Sequence, residues 1–286
     1  MAVKIGLVLE GGGIRGAYTA GALSWLAEQN IEFDYHVGIS TGAAYLALHL
    51  GGETEIAKQM STGFAIDPRN VGLKAMLHCG HFVDGDRIYT HFLKNVMGFD
   101  AKKLRESDLF METGLYDLEK GEAVYYSNRD LDDDLDLIRA GCSLPLASEI
   151  VNFKGRKVLD GGITKMIPIE RALDQGCEKC LIITTKPADF VRKPASKMLA
   201  FLMGIVYHKY PSVKKDYKVR HLNYYHQMDL IREMEKRGAA LVVSPSSTIK
   251  VSRFKGDPEK CQAMYQMGYQ DMEARKQEIL EFVRDK

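Results

Sequence analysis

The sequence predicts an α/β fold: a mostly parallel sheet covered by helices on both faces, followed by a helical C-terminal part. Two observations carry this. A β-branched, Leu-rich run over residues 3–9 stops at three glycines and gives way at Gly16 to helical spacing. The alternation then repeats at once, with a second strand over 34–39 and an Ala- and Leu-rich helix over 41–50. Strand, helix, strand, helix at that pace needs crossover connections, and these lay helices on the faces of a parallel sheet. The composition agrees: 45% of the 286 residues are hydrophobic, enough for a sizeable core and too many for a disordered chain.

Taken in order, the first strand reads as buried on both faces. The helix over 16–28 carries Ala17, Ala20, Gly21 and Ser24 on one stripe, small residues that let it sit close on a sheet. Residues 53–61 and 86–97 read as helices, and 109–116 with 122–127 as a hairpin around Glu119-Lys120-Gly121. A helix is expected over 130–142, stopping before Pro145, and a short strand over 157–159. The helix over 168–175 has Pro at its start and Gly176 past its end. A strand follows over 180–185. Beyond Lys186 the pattern is mostly helical, with a strand at 240–243 and a final helix from Pro258. No repeat or linker divides the chain, so one domain over 1–286 is expected, with a motif-bearing part (5–185) and a helical part (186–286).

Lys and Arg number 39 against 38 Asp and Glu, a net charge of +1, which lacks the basic excess of a nucleic-acid coat; no nucleic-acid partner is expected. Five Cys with no regular framework point to reduced thiols and a cytoplasmic setting. The apolar run in residues 1–9 is too short for a signal peptide, and the one over 198–206 is far below the ~18–20 residues that span a bilayer. That second run is followed by Lys209, Lys214, Lys215, Lys218 and Arg220, interleaved with Tyr210, Tyr217 and Tyr224. It reads either as a core helix with a solvated basic face or as a lid or patch resting peripherally on anionic lipid.

Chemistry concentrates in three places. Gly38-Ile39-Ser40-Thr41-Gly42 is a G-x-S-x-G between a strand and a helix, the setting of a tight turn that exposes a nucleophilic serine. Gly38 and Gly42 remove Cβ atoms that would clash there, and the helix behind Ser40 turns its positive end toward developing negative charge. Gly11-Gly12-Gly13-Ile14-Arg15-Gly16 matches the dinucleotide fingerprint G-x-G-x-x-G, but that fingerprint needs an acidic residue at the end of the second strand. Glu32 and Asp34 lie ahead of that strand instead, and Ser40 occupies its far end. The other functional reading is an oxyanion hole, with several amides aimed at one spot and Arg15 holding the loop or adding positive potential. A nucleotide-binding regulator without turnover is the alternative from a different class. Asp160-Gly161-Gly162 follows the short strand over 157–159, on the rim where a parallel sheet places its ligands, though Asp-Gly is more often a plain turn.

Other patterns read as bland. His208, His221 and His226 would be the candidates for a Ser-His-Asp triad, and none has a supporting motif. His36 lies on the strand leading to Ser40 and reads as structural. His78 and His81 lack a second ligand pair, so no metal is expected. Cys177 and Cys180 precede a strand rather than a helix, as structural thiols do. Asp130, Asp132, Asp134 and Asp136 suggest a calcium loop, but Leu135 and Gly141 stand where Gly and Glu are required; an acidic first helical turn is simpler.

In this order, Gly-Gly-Gly-Ile-Arg-Gly, Gly-Ile-Ser-Thr-Gly and Asp-Gly-Gly resemble the patatin-like phospholipase family. The resemblance implies a three-layer α/β/α acyl hydrolase with a Ser-Asp dyad in place of a triad. It makes Ser40 the nucleophile, Asp160 the base, and Gly11, Gly12, Gly13 and Arg15 the oxyanion loop. The stretch Ala140-Gly141-Cys142-Ser143-Leu144-Pro145 is similar to another family segment that usually carries Ser where Gly141 stands. The implied activity is cleavage of carboxylic esters of phospholipids, lysophospholipids or similar amphiphiles, with no cofactor. A free Asp titrates near ~3.9, too low to deprotonate a hydroxyl efficiently, so a dry site that raises the Asp160 pKa is expected.

Overall fold

The computed structural model describes residues 3–252 and 255–284; the parts of the expected first run and final helix that fall on Met1, Ala2, Asp285 and Lys286 lie outside the described residues. Among the described residues eight strands form one sheet: β1 (Ile5–Leu9), β2 (Tyr35–Ile39), β3 (Met111–Asp117), β4 (Glu122–Ser127), β5 (Val151–Phe153), β6 (Arg156–Asp160), β7 (Lys179–Ile183) and β8 (Ala240–Val243). The order is β5-β6-β3-β2-β1-β7-β8, with β4 also on β3. From β3 through β2, β1 and β7 to β8 the neighbours are parallel; β4, β5 and β6 add antiparallel pairs.

The helices are α1 (Gly16–Glu28), α2 (Thr41–Leu50), α3 (Thr54–Thr62), α4 (Leu73–Cys79), α5 (Ala101–Glu106), α6 (Asp136–Gly141), α7 (Ile169–Asp174), α8 (Lys197–Val206), α9 (Pro211–Lys236), α10 (Pro258–Ala274) and α11 (Lys276–Arg284). Residues Asp86–Val96 are helical in the wider π form. Alternation along β1 splits the core: Ile5, Leu7 and Leu9 face α1, α2, α3 and α10, whereas Val8 joins Val37, Ile182 and the buried residues of α7 and α9 on the other face. The three-layer arrangement follows, and it includes the C-terminal helices: Met264, Tyr265, Met272 and Ile279 belong to the same apolar cluster as Leu7.

Two local readings change. At Gly21 the small-residue stripe of α1 serves an approach to α10, where spacing alone points to the sheet: a Cβ there would run into the carbonyl oxygen of Tyr265, and one at Gly268 into that of Tyr18. The helix expected over 130–142 is confined to α6. Leu135 takes a left-handed conformation (φ 62°), and the Asp132 carboxylate accepts the amides of Asp134 (3.1 Å), Asp136 (2.8 Å) and Leu137 (3.0 Å). The acidic run is thus a loop closed on its own backbone before the helix begins.

One feature of the sheet positions the chemistry. β4 occupies one edge of β3 over residues 112–117. The opposite edge is shared: β2 pairs in parallel up to Ile39↔Gly114, and β6 pairs antiparallel from Leu115↔Asp160 onward. β2 and β6 therefore run toward each other along the same edge, and their C-terminal ends meet between Gly114 and Leu115.

Candidate active site

Ser40 follows Ile39, at the end of β2, and caps α2. Its backbone is held at φ 56°, ψ −133°, a sparsely populated conformation for a residue with a side chain, of the kind that costs roughly 1–3 kcal/mol and gathers at functional sites. The turn is over-determined by its surroundings. Ala43 and Ala44 donate their amides to the Ser40 carbonyl at 2.9 and 3.2 Å. A Cβ at Gly38 would stand 2.6 Å from the Ala43 nitrogen, and one at Gly42 would stand 2.8 Å from the Glu10 carbonyl oxygen. The two flanking glycines are thus required by close packing of β1, β2 and α2, as the motif reading expects.

Asp160 ends β6 and is 1% exposed. Its Oδ1 accepts the Gly162 amide at 2.7 Å, which fixes the carboxylate across the tight turn of Gly161 and Gly162. Oδ2 is buried without a partner of ordinary hydrogen-bond geometry. Burial raises the Asp160 pKa above the usual carboxylate range, against the opposing pull of the Ser40 hydroxyl, the Gly162 amide and the Arg220 charge. The Ser40 hydroxyl thus faces this carboxylate without completing a full hydrogen bond to Oδ2, a looseness common before substrate binds. Both residues line one cavity of about 140 Å³.

The glycine loop forms another wall. A Cβ on Gly11 would lie 3.1 Å from the Ser40 Cβ, so the loop backbone runs directly beside the serine. Its amides are not equivalent. Gly11 donates to the Met166 carbonyl at 3.0 Å, and Gly12 makes a weak bond to the Thr41 hydroxyl at 3.3 Å. Gly13, at φ 56°, has no internal partner for its amide among the described residues. Gly16 begins α1, and Arg15 caps it and lines the cavity. Of the three glycines read as oxyanion donors, Gly11 is committed elsewhere, and the open positions are Gly13 and, more weakly, Gly12.

Ser40 also lines a second cavity of about 70 Å³, walled by Tyr45, Met60, Ile66, Val71, Ile88 and Tyr89 among others. The first cavity carries Arg15, Lys186, Arg192 and Arg220. The serine therefore stands between an apolar space and a cationic one. Lys186 binds Glu10, whose carboxylate also accepts the Thr185 amide (2.7 Å) and hydroxyl (2.9 Å). Glu10, Lys186 and Arg192 carried no motif, and Arg220 lay hidden in a basic run that reads equally well as a solvated face. Nothing in their spacing marks them, because three separate segments bring them together.

Among the described residues no histidine lines either cavity. His208 is engaged with the Ile205 carbonyl at 3.1 Å, His226 is exposed, and His221 is half-buried on α9. His36 is buried and bonded to the Phe110 carbonyl at 2.8 Å. The five cysteines are free, and no group of residues able to hold a metal ion occurs among the described residues. No described helix is long and apolar enough to cross a membrane.

Comparison with known proteins adds to this geometry. Residues 210–284 match a family described as a domain of unknown function (DUF6363). The chain is 26% identical over 205 residues to the uncharacterized protein YjjU of Escherichia coli K12, covering 67% of this chain and 54% of that protein, so it spans about half the length of this curated relative. Its fold is similar to the crystal structure of VipD from Legionella pneumophila, with a TM-score of 0.50 at 14% identity, covering 99% of this chain and 67% of that one. The profile of the patatin-like phospholipases matches residues 7–173, the stretch that contains the glycine loop, the serine elbow and the Asp-Gly-Gly turn, and the chain belongs to that family.

Proposed function

We propose that the protein is a serine acyl hydrolase that cleaves carboxylic esters of lipids through Ser40 and Asp160. The observation that carries the reading is a serine on a strained strand-to-helix turn beside a fully buried carboxylate at the end of a neighbouring strand. Ser40 Oγ attacks the ester carbonyl while Asp160 takes its proton. The carbonyl oxygen becomes an oxyanion against the amides of Gly13 and Gly12, and the positive end of α2 adds to its stabilisation. The proton then passes from Asp160 to the departing alcohol oxygen as the C–O bond breaks. Water deprotonated by the same carboxylate hydrolyses the acyl-Ser40 ester and restores the serine. A raised carboxylate pKa suits this role, since proton transfer is most efficient when acid and base are better matched. The apolar cavity beside Ser40 suits the acyl chain.

A lipid surface is proposed as the physical partner. Met203 of α8 and Tyr207 just past its end join one apolar cluster with Ile163 and Leu146 beside the cavity, while the helix leaves Met198, Phe201, Leu202, Ile205 and Val206 facing solvent. Helix α4 exposes Leu73 and Leu77, between Val71 and Val83 of the apolar cavity wall. Exposed apolar faces beside a site, with lysines nearby, suit docking on anionic lipid.

Wild type, Ser40→Ala and Asp160→Asn should be compared on p-nitrophenyl esters of several chain lengths and with a fluorophosphonate probe. Turnover and labelling are expected in wild type alone. Full turnover by Ser40→Ala would refute the assignment.

A further inference from the structure

Arg220, Tyr224, Gln227, Ile231 and Met234 of α9 are spaced as one face of a helix. The apolar members anchor it: Tyr224, Ile231 and Met234 join the cluster of Val8, Val37 and Ile182 on that side of the sheet. The two polar members both turn to one short segment, the chain that runs on from Asp160. Gln227 is 0% exposed, so its amide must find partners inside the protein. It accepts the Ile167 amide at 3.1 Å and donates to the Thr164 carbonyl at 3.2 Å. Arg220 donates its Nε to the Gly162 carbonyl. A Cβ on Gly162 would stand 2.9 Å from Asp160 Oδ1 and 3.5 Å from Arg220 Nη2, so the carboxylate and the guanidinium meet over that residue.

The segment held in this way touches both halves of the site. At its start, the Gly162 amide fixes Asp160 Oδ1 at 2.7 Å. Near its end, the Met166 carbonyl accepts the Gly11 amide at 3.0 Å and ties down the glycine loop. Between these points the chain has one tight turn, Gly161–Ile163, and no strand or long helix of its own to fix it. Helix α9 opens the stretch over 210–284, to which the matching family attaches no function.

Resting on the acyl-hydrolase reading above, we infer that Arg220 and Gln227 are positioning residues: through Gly162, Thr164 and Ile167 they hold the Asp160 carboxylate toward Ser40 and keep the glycine loop beside it. The start of the 210–284 stretch is then part of the frame of the reacting centre, not an appended module.

Arg220 also acts by charge, which packing alone would not do. Burial raises Asp160, and the Arg220 charge opposes that rise. Of the other groups around the carboxylate, the Ser40 hydroxyl is neutral, and burial keeps Tyr89 and Cys142 protonated. Arg15, Lys186 and Arg192 line the same cavity and are untouched by the substitutions below.

The test uses the full chain and p-nitrophenyl butyrate, a neutral ester that offers Arg220 no charge to bind. Arg220→Gln should lower kcat by about tenfold or more with KM changed less than about threefold. It should also move the acid limb of kcat/KM to higher pH by about half a unit or more, because the base loses a neighbouring cation. Arg220→Lys keeps the charge without the planar fork, so the limb should return toward wild type while kcat stays reduced. Gln227→Met should lower kcat and leave the limb in place. A wild-type acid limb in Arg220→Gln would overturn the assignment, whatever its rate. In the wild type itself, amide hydrogen exchange over residues 162–167 should be as slow as in the buried turns of α9; exchange at the rate of an exposed loop would overturn the clamp even if a variant fails to fold. Wild type without Ser40-dependent turnover would remove the hydrolase reading, and this proposal with it.

Discussion

Replacing Asp160 by Asn should lower turnover by about a hundredfold or more and at the same time make the protein more stable at neutral pH. The carboxylate is buried, one oxygen accepts the Gly162 amide, and the other has no partner. An Asn side chain keeps the first bond through its carbonyl and can donate to the Ser40 oxygen with its amide, so it removes a buried charge without leaving a new orphan. Relief of an imperfectly satisfied buried polar group is worth about 1–3 kcal/mol. At roughly 2–4 °C per kcal/mol for a chain of this size class, the melting temperature should rise by about 2–12 °C. The sign depends on pH. The folded pKa of Asp160 lies above its unfolded value, so the folded protein binds the extra proton. Wild-type stability from this group declines as pH rises from the unfolded carboxylate range through the raised value, and the penalty is fully present above it. Thermal unfolding of both proteins at pH 7.5 and near pH 4 should show a gap that closes at the acid end. Loss of the base should cost about 10²–10⁴ in kcat/KM, equivalent to roughly 2.7–5.4 kcal/mol of transition-state stabilisation. A variant less stable than wild type at pH 7.5, or one retaining more than a tenth of the activity, would refute the reasoning.

Gly38→Ala should lower both stability and turnover, because its Cβ would press on the Ala43 nitrogen at 2.6 Å; overpacking of this kind costs about 1–3 kcal/mol, readable by denaturant unfolding. Glu10→Gln should destabilise the fold by roughly 3–5 kcal/mol, since it strips the counter-charge from buried Lys186. Lys186 already sits at about 8, so its charged form is disfavoured in the folded state; stability should climb with pH above that value, and more steeply in the variant, as urea titrations between pH 7 and 10 would show. Phe201→Asp, on the exposed face of α8, should reduce co-sedimentation with vesicles containing anionic lipid; unchanged binding would remove that face from the proposed contact.

The parts of the site legible in the sequence are those built from contiguous residues. A strand, three glycines and a helix start announce the loop, and a glycine on either side of Ser40 announces the elbow, because close backbone approaches leave only one residue type that fits. Asp160 was legible as a strand end with a tight turn after it. What the sequence does not carry is the meeting of β2 and β6 on one edge of β3, since that pairing joins residues over a hundred positions apart. The cationic wall was hidden for the same reason: Lys186 and Arg192 lie in the connection after β7 and Arg220 on the long helix α9, and no local rule links them. The acidic stretch before α6 misled in another way. Helix periodicity was present, but Asp132 offered the backbone a competing set of hydrogen bonds and delayed the helix to Asp136.

The shared edge of β3 has a consequence for how this site can change. The two groups proposed to react stand where two ladders on that edge end, Ser40 one residue past the Ile39↔Gly114 pair and Asp160 in the Leu115↔Asp160 pair, so their spacing is set by pleat and register rather than by pliable connections. Inserting or deleting one residue in β6 would turn the side chain at position 160 to the opposite face of the sheet, an all-or-none change. Variation in what the proposed hydrolase accepts is therefore freer in the helices that wall the two cavities, while Ser40 and Asp160 stay locked to the frame.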